Sequence, residues 1–309
     1  MTSGAAPELR FESSRALSPT ELHAVERLEE ACLAVDGGRL KLEFRTLRSR
    51  SGEHPSDFTC CDGNELVGFL GLYQWRAGEI ELTGMVHPGY RRKGVWTRLY
   101  GEAVAEVRRR AVARLLLVMD REWLPAHCFA ERCGAHYEGS EHRMVQLRAP
   151  AGRNRTLDVL VRTAWDEDAG FVKDCLVQAF QMPPESFELE STKAALDDTL
   201  VVELDSELVG TLRVDRQEDG GTRSAGIYGF AVLPSRQGIG VGRQVLADVT
   251  ESLRAEGVGR ITLEVAVHND SALHLYESSG FERVATEDYW LVEPLGGGQA
   301  IHHPSAGVL

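Results

Sequence analysis

The sequence predicts an α/β (α+β) protein made of two copies of one fold, and three observations support this prediction. The chain has 309 residues, enough for two ordinary domains with their own cores. Segments with helical and with strand periodicity follow one another along it. In addition, "MVHPGYRRKGV" (Met85–Val95) aligns with "AVLPSRQGIGV" (Ala231–Val241) at a constant shift of 146 residues.

The repeat extends on both sides of this alignment. Downstream, the same shift carries Gly134 onto Gly280 without a gap, and upstream "ELVG" occurs at Glu65–Gly68 and at Glu207–Gly210. Between the two anchors the second copy is four residues longer, and we expect the hairpin "DRQEDGGTRSAG" to absorb them as a longer turn. The copies are therefore expected at residues 1–150 and 151–295, followed by a disordered tail at 296–309.

The elements of the second copy are predicted from periodicity and from helix end signals. A strand, an amphipathic helix and a hairpin come first, followed by strand, helix, strand, helix and strand. Their sequences are "TLDVLVRTA", "DEDAGFVKDCLVQAF", "TLVVELD" with "ELVGTLRVD", "AGIYGFAVL", "GRQVLADVTESLRAEG", "RITLEVAV", "NDSALHLYESSG" and "YWLVEPL". Asn269 is predicted to cap the last of the helices and Gly280 to close it. The first copy runs similarly from about Leu9, with "SPTELHAVERLEEACLAV" as its first helix.

Composition limits the kind of partner. The formal net charge of −13 argues against nucleic-acid binding, which normally needs a basic stripe, and mildly favours a cationic partner such as an amine. No apolar run approaches the roughly 18 residues of a membrane span, and the amino terminus lacks a signal-peptide pattern, so a cytoplasmic protein without membrane contact is expected. The six cysteines have no metal-binding spacing, and His302 and His303 in the tail are not expected to form a functional site, so no metal is predicted.

The glycine run Gln237-Gly238-Ile239-Gly240-Val241-Gly242 joins a predicted strand to a predicted helix. Backbone N–H groups converge at such a helix start and can bind a diphosphate, and glycine lets the phosphates approach the backbone closely. The spacing is GxGxG, which differs from the GxGxxG of dinucleotide-binding domains and from the GxxxxGK[ST] of nucleotide-hydrolysing loops. Taken alone, the run is equally compatible with a plain turn.

The run "QGIGVG" resembles the Q/R-x-x-G-x-G/A loop of the GNAT superfamily of N-acetyltransferases. The segment "NDSALHLYESSGF" (Asn269–Phe281) is similar to that family's second signature, and both signatures stand in the expected order. The resemblance implies two tandem GNAT domains, each a central mixed sheet flanked by helices. It further implies acetyl-CoA as co-substrate, without a metal, its diphosphate held by the loop. The implied coenzyme-binding residues are Ala231, Val232, Gln237, Gly238, Ile239, Gly240, Val241, Gly242, Arg243, Asn269 and Ser271.

The resemblance also implies catalytic residues. Glu264 lies twelve residues before Tyr276, and this spacing is similar to the family branch that acetylates the amino termini of ribosomal proteins. By that similarity, Glu264 is the general base that receives the amine proton and Tyr276 the general acid that protonates the coenzyme thiolate. The backbone N–H near Val232 would stabilise the oxyanion. Glu203 and His268 are reserve bases, since the preceding strand, an alternative source in the family, has Gly226 and Ile227.

The first copy departs from this pattern at four positions together. The constant shift places Trp96 at the third glycine, Trp123 at Asn269, Val118 at Glu264 and Ala130 at Tyr276. A tryptophan at that glycine is expected either to fill the diphosphate site or to turn away and distort the entrance. Arg91 and Gly94 persist, and Glu79 or Glu81 could replace the lost base. The first copy is therefore interpreted as a degenerate domain that supports the second copy or shapes its substrate groove.

The sequence favours an N-acetyltransferase that acts through the C-terminal copy by direct attack of a primary amine in a ternary complex. The alternatives are a different nucleophile or acyl-CoA, and a non-catalytic acyl-CoA-binding sensor or scaffold. A dinucleotide-binding module fits less well, because the second signature has no place in it. The acceptor, a small-molecule amine or a peptide N-terminus, is left open. Acidic residues in the loop Phe180–Glu190 could attract a cationic amine: Glu185, Glu188 and Glu190.

Overall fold

The computed structural model describes residues 9–76, 78–148, 157–182, 196–219 and 221–292. The chain forms two compact units, and each contains a segment from the other half of the sequence. Unit 1 comprises the residues up to Glu138 together with those from Glu287 to the end of the last strand, and unit 2 comprises Gly139–Thr286. Among the described residues, no helix is long and apolar enough to cross a membrane.

Unit 1 is a six-stranded sheet with helices on both faces. Its strand order is β1-β2-β3-β4-β5-β12, in which only the β4–β5 pair is parallel. The second part of β12 pairs with β5 from Glu287 to Val292. The elements are β1 (Leu9–Ser14), α1 (Pro19–Asp36), α2 (Phe44–Arg48), β2 (Asp57–Asp62), β3 (Glu65–Arg76), β4 (Glu79–Val86), α3 (Val95–Arg109), β5 (Arg114–Asp120), α4 (Leu124–Arg132) and β12 (Phe281–Val292).

Unit 2 repeats this architecture with the strand order β6-β11-β10-β9-β8-β7, and here the β10–β11 pair is parallel. The part of β6 after Glu138 takes the edge next to β11, so a strand from the first half of the chain completes this sheet. The elements are β6 (His136–Gln146), β7 (Val159–Thr163), α5 (Ala169–Phe180), β8 (Thr199–Leu204), β9 (Glu207–Asp219), β10 (Thr222–Val232), α6 (Val241–Ala255), β11 (Arg260–Ala266) and α7 (Asp270–Ser278).

Each sheet buries an apolar layer on both faces, as the alternation of strand residues requires. In unit 2, one face packs against α6 and α7 through a core that includes Val245, Leu263, Val265 and Tyr276. The other face packs against α5 through Cys175, Val201 and Ala231, among others. Unit 1 has the same two layers. Leu99 of α3 and Leu117 of β5 belong to one core, and Val25 of α1 and Met85 of β4 belong to the other.

The helix ends follow local sequence signals. Ser18 and Glu21 form a capping box at the start of α1, with the Ser18 backbone N–H donating to Glu21 Oε2 at 2.7 Å. The Oδ1 atom of Asn269 accepts the Ala272 backbone N–H at 3.1 Å, so Asn269 is the cap that the sequence predicts for α7. The same helix is followed by Gly280, whose φ of 86° is in the left-handed region.

The four additional residues of the second copy do not form a longer turn, and that expectation is wrong. Strands β9 and β10 remain paired out to Asp219 and Thr222, so the added residues lengthen the arms of the hairpin. In addition, β10 has a β-bulge between Tyr228 and Ala231, where it carries one more residue than its partner strand, whereas the extra residue of the first hairpin lies on β3 between Tyr73 and Arg76. The corresponding part of β4 pairs with β3 regularly.

Replacing Gly280 with alanine is expected to destabilise the protein by about 2–4 kcal/mol, because it combines a positive φ with a backbone clash. A Cβ at Gly280 would lie 2.2 Å from the Arg148 carbonyl oxygen. Gly134, its counterpart in unit 1, is the matched control, since its φ is 73° and nothing lies within 4 Å. Urea unfolding should show the larger loss for Gly280→Ala; equal losses would contradict the clash.

Candidate active site

The glycine run forms an open, exposed loop between the end of β10 and the start of α6. Gly238 and Gly240 have φ angles of 77° and 101°, and neither has an atom within 4 Å of the place where a Cβ would stand. Gly240 is the N-cap residue of α6, so the N–H groups of the first helical turn point out of the helix without intrahelical partners. Together with the helix dipole, these groups fit a diphosphate.

At the end of β10, the backbone N–H of Val232 points toward β11. The Leu233 N–H donates to the Val209 carbonyl of the neighbouring strand at 2.8 Å. Because successive N–H groups of a strand point to opposite edges, the Val232 N–H points toward β11. The Gln237 side chain donates to the Val232 carbonyl at 2.8 Å and so ties the loop to this strand end.

Strands β10 and β11 separate just before this point. Their parallel pairing extends from Ser224/Arg260 to Ile227/Leu263 and then ends, although both strands continue. The bulge between Tyr228 and Ala231 lies where the pairing stops. The end of the pairing leaves a gap between β10 and β11 next to the glycine loop, and the bulge bends β10 at this point.

Glu264 is the first residue of β11 beyond this pairing. It alternates with the core residues Leu263 and Val265, so its side chain lies on the opposite face of the sheet from α6 and α7. The side chain is 7% exposed, and its Oε1 lies 3.6 Å from Nη1 of Arg143 on β6. Glu264 is thus a nearly buried carboxylate at the edge of the gap, facing a cation.

Tyr276 is a residue of α7 and lies in the core between that helix and the sheet, on the face opposite Glu264. It is 7% exposed and its ring centroid is 6.1 Å from that of Phe281. Burial raises the pKa of Tyr276 to about 12, so its hydroxyl stays protonated at neutral pH. The two predicted catalytic side chains therefore lie on opposite faces of the sheet.

The remaining residues of the implied coenzyme site divide by exposure. Ile239 and Arg243 are exposed at the mouth of the loop, and Ser271 is exposed in the first turn of α7. Val241 and Ala231 are buried and hold the loop and strand in place rather than facing solvent. A Cβ at Gly242 would lie 3.3 Å from Leu275 of α7, which explains why a small residue stands there.

The reserve bases are less well placed. Glu203 accepts a hydrogen bond from Arg162 Nε at 2.7 Å, on strand β8 and away from the gap. His268 is exposed in the turn after β11. Residues Glu185, Glu188 and Glu190, like His302 and His303, lie outside the described residues. Within the described part of the chain, no group of three or more His, Cys, Asp or Glu side chains could hold a metal ion.

Arg143 and Tyr228 were not found by sequence reasoning. Arg143 comes from β6 and reaches Glu264 only because the strand belongs to unit 2, which no local pattern indicates. Tyr228 covers Gly226, since a Cβ at Gly226 would lie 2.7 Å from the Tyr228 hydroxyl oxygen. A tyrosine two residues after a strand glycine on the same face is a signal that could have been read.

Unit 1 keeps the backbone of the loop but not its surroundings. Arg92 and Gly94 have φ angles of 64° and 82°, at the positions of Gly238 and Gly240. Trp96 turns away from the loop, which is one of the two expected outcomes, but the loop keeps these left-handed φ angles and does not show the expected distortion. The Trp96 ring turns toward the sheet, making an edge contact with Phe129 at 5.8 Å and approaching Gly84.

Three further differences distinguish unit 1 around the corresponding loop. The Arg91 guanidinium lies 5.5 Å from the ring centroid of Trp123, so the residues at the positions of Gln237 and Asn269 contact each other. Arg91 also forms a bidentate ion pair with Asp36. Strand β4 also lacks the bulge of β10, although the β4–β5 pairing ends at the corresponding pair, Leu82/Leu117.

Comparison with known proteins agrees with this architecture. The model of the Acetyltransferase (GNAT) family matches residues 22–135 and again 165–281. The chain therefore belongs to the GNAT family, with two tandem domains, and is an acetyl-CoA-dependent N-acetyltransferase. The fold class and the family predicted from the sequence are confirmed.

Particular relatives cover nearly the whole chain. A mycothiol acetyltransferase of Thermobispora bispora is 31% identical over 290 residues, which cover 86% of this chain and 94% of the relative. One of Sanguibacter keddieii is 27% identical over 303 residues, covering 90% of this chain and 95% of the relative. The tandem arrangement predicted from the internal repeat therefore resembles that of mycothiol synthase.

Two solved structures share the fold. A GCN5-related N-acetyltransferase from Sphaerobacter thermophilus has a TM-score of 0.75 at 20% identity, covering 96% of this chain and 99% of its own. A tandem GNAT protein from the clavulanic acid biosynthesis pathway has a TM-score of 0.68 at 20% identity, covering 94% and 100%.

Proposed function

We propose that unit 2 transfers the acetyl group of acetyl-CoA to a primary amine by direct attack in a ternary complex. The observation that carries this proposal is the gap between β10 and β11, which has the glycine loop at its end, Glu264 on one face and Tyr276 on the other. Acetyl-CoA supplies an activated thioester, whose sulfur is a leaving group once protonated.

The loop and the strand end position the coenzyme in this proposal. The amides from Gly238 to Arg243 bind the diphosphate, and the Val232 N–H, directed toward β11, donates to the carbonyl oxygen as negative charge develops on it. Since the gap begins only where the pairing of β10 and β11 ends, the thioester is directed between the two catalytic side chains.

The two side chains have separate tasks because they stand on opposite faces. Glu264 receives the proton of the attacking amine, directly or through one water, since an amine with a pKa of about 10 arrives mostly protonated. Tyr276 gives its proton to the departing sulfur from the α7 side. Arg143, 3.6 Å from Glu264, holds that carboxylate in place and compensates its charge.

The acceptor is an amine that approaches from the Glu264 face. The relatives named mycothiol acetyltransferases make their acceptor the first to try, followed by small primary amines and peptide N-termini. The test is release of free thiol from acetyl-CoA in the presence of each acceptor, with product mass as the second measurement. Coenzyme binding without thiol release for any acceptor would favour an acyl-CoA-binding sensor instead.

Replacing Gly240 with alanine is expected to weaken acetyl-CoA binding roughly 10- to 100-fold, the equivalent of one or two lost charge-assisted hydrogen bonds. The added Cβ would stand at the helix start, where the phosphates approach. Gly221→Ala, in the β9–β10 hairpin, is the control, with a φ of 80° and open space around it. Calorimetry should find acetyl-CoA binding weakened only in Gly240→Ala; equal affinities of the two variants would contradict a diphosphate site in the loop.

A further inference from the structure

We propose that the chain's own primary amine, that of Lys41, occupies the acceptor face of unit 1 and closes it to added amines. Unit 1 would then be a domain whose amine-binding position is filled by an internal ligand. Naming this face the acceptor side rests on the function proposed for unit 2. The ammonium site itself rests only on contacts within unit 1.

The segment that carries Lys41 is fixed in place by both its ends and its apolar neighbours. It joins α1 to α2 and passes beside the end of β5, where the Arg39 N–H donates to Asp120 Oδ2 at 3.1 Å. Gly38 has a φ of 67°, and a Cβ there would lie 2.7 Å from the same oxygen. Leu40 and Leu42 pack into the core beneath α1, so Lys41 is held at a fixed place.

Lys41 is the centre of a buried polar site. Its side chain is 5% exposed, and its Nζ donates to the Tyr289 hydroxyl at 2.6 Å and lies 3.6 Å from Glu81 Oε2. A carboxylate and a phenol oxygen around one buried cation are acceptor groups that recognise a primary ammonium.

This site occupies the same place in unit 1 as the Glu264 site in unit 2. In unit 1, Tyr289 pairs with Val118, and in unit 2, Arg143 pairs with Glu264. The shift of 146 residues carries Val118 onto Glu264 and Arg143 onto Tyr289.

The second contact follows the same correspondence. In unit 1, Glu81 of β4 pairs with Leu116, and in unit 2, Gly226 of β10 occupies the corresponding position opposite Thr262. The carboxylate of unit 1 is therefore on β4, whereas that of unit 2, Glu264, is on β11, the strand that corresponds to β5. The Lys41 nitrogen contacts Glu81 on the face where an amine would approach.

The test uses Lys41→Ala in the full-length chain, with n-propylammonium as the probe because it replaces the atoms removed. Loss of one partner of a buried ion pair is expected to lower Tm by on the order of 10 °C. Millimolar n-propylammonium should restore much of this loss saturably, as a ligand that binds only the folded state does. Tetramethylammonium, which has no N–H donor, and n-propanol, which has no charge, should not.

The double variant Lys41→Ala/Glu81→Gln should lose the response to n-propylammonium, and the wild-type protein should show none. Saturable stabilisation of the wild-type protein, or an unresponsive folded Lys41→Ala, would overturn the proposal. These readouts do not involve acetyl transfer, so they are independent of whether unit 2 proves catalytic.

If Lys41→Ala does not fold, lysine labelling of the wild-type protein decides the question. The chain contains only the lysines Lys41, Lys93, Lys173 and Lys193. Brief treatment with acetic anhydride, read by peptide mass spectrometry, should modify the exposed Lys93 at least roughly tenfold faster than Lys41, since burial restricts access. Equal rates, or acetylation of Lys41 on incubation with acetyl-CoA, would overturn the proposal.

Discussion

Tyr276→Phe is expected to lower kcat by about 10²–10⁴-fold, the usual contribution of a positioned general acid. The substitution removes only the hydroxyl, and the ring keeps its contact with Phe281 and its place in the core. Affinity for acetyl-CoA should therefore change little. Steady-state kinetics with the best acceptor, together with calorimetric acetyl-CoA titration, separate the two effects.

The pH dependence of the wild-type enzyme provides a second check on Tyr276. Burial raises the pKa of its hydroxyl to about 12, so the acid form is present at every lower pH and is lost only as pH rises through that value. Titration of Tyr276 should therefore cause no loss of rate between about pH 8 and 10. The pH profiles of the wild-type enzyme and of Tyr276→Phe should have the same shape in this range.

A matched control exists in unit 1. Tyr100→Phe removes the hydroxyl of a half-buried tyrosine of α3 whose burial also raises its pKa, and it should leave kcat within about twofold. An unchanged kcat for Tyr276→Phe would remove Tyr276 from the mechanism.

Glu264→Gln is expected to lower kcat/KM for the amine by about 10²–10⁴-fold at neutral pH, because an amide cannot accept the amine proton. The deficit should shrink as pH rises toward the amine's own pKa of about 10, since more of the acceptor then arrives neutral. A pH profile of both proteins measures this directly. A deficit that stays constant with pH would indicate a structural rather than a proton-transfer role.

The control for this prediction is Glu203→Gln. Glu203 is the alternative carboxylate, but it is engaged by Arg162 on a different strand and should be replaceable without a large kinetic effect. Tm is measured alongside, because Glu264→Gln removes the carboxylate that lies 3.6 Å from Arg143. If Glu203→Gln were the inactive variant, the base would have to be reassigned.

Local chemistry explains what the sequence could predict. A glycine that must take a positive φ at a helix start, such as Gly240, and an asparagine that caps a helix, such as Asn269, leave a signal within a few residues. The internal repeat adds the order of the elements. Fold class and the position of the loop follow from these signals alone.

Non-local pairing explains what the sequence could not predict. The strand that brings Arg143 to Glu264 comes from the first half of the chain, and such an exchange leaves the periodicity of β6 unchanged. The bulge in β10 adds one residue, which the alignment shows only as part of a length difference. The position of the Trp96 ring could not be predicted for a similar reason. The ring lies against Gly84 of β4, and the corresponding residues of unit 2 have the opposite sizes, with Phe230 next to Gly242.

The most direct test of the central claim is a crystal structure of the protein with acetyl-CoA. We expect the diphosphate on the amides from Gly238 to Arg243 and the thioester between β10 and β11, with its carbonyl oxygen within hydrogen-bonding distance of the Val232 nitrogen. Glu264 and Tyr276 should lie on opposite sides of the thioester. A coenzyme bound elsewhere in unit 2, or a thioester that reaches neither side chain, would contradict it.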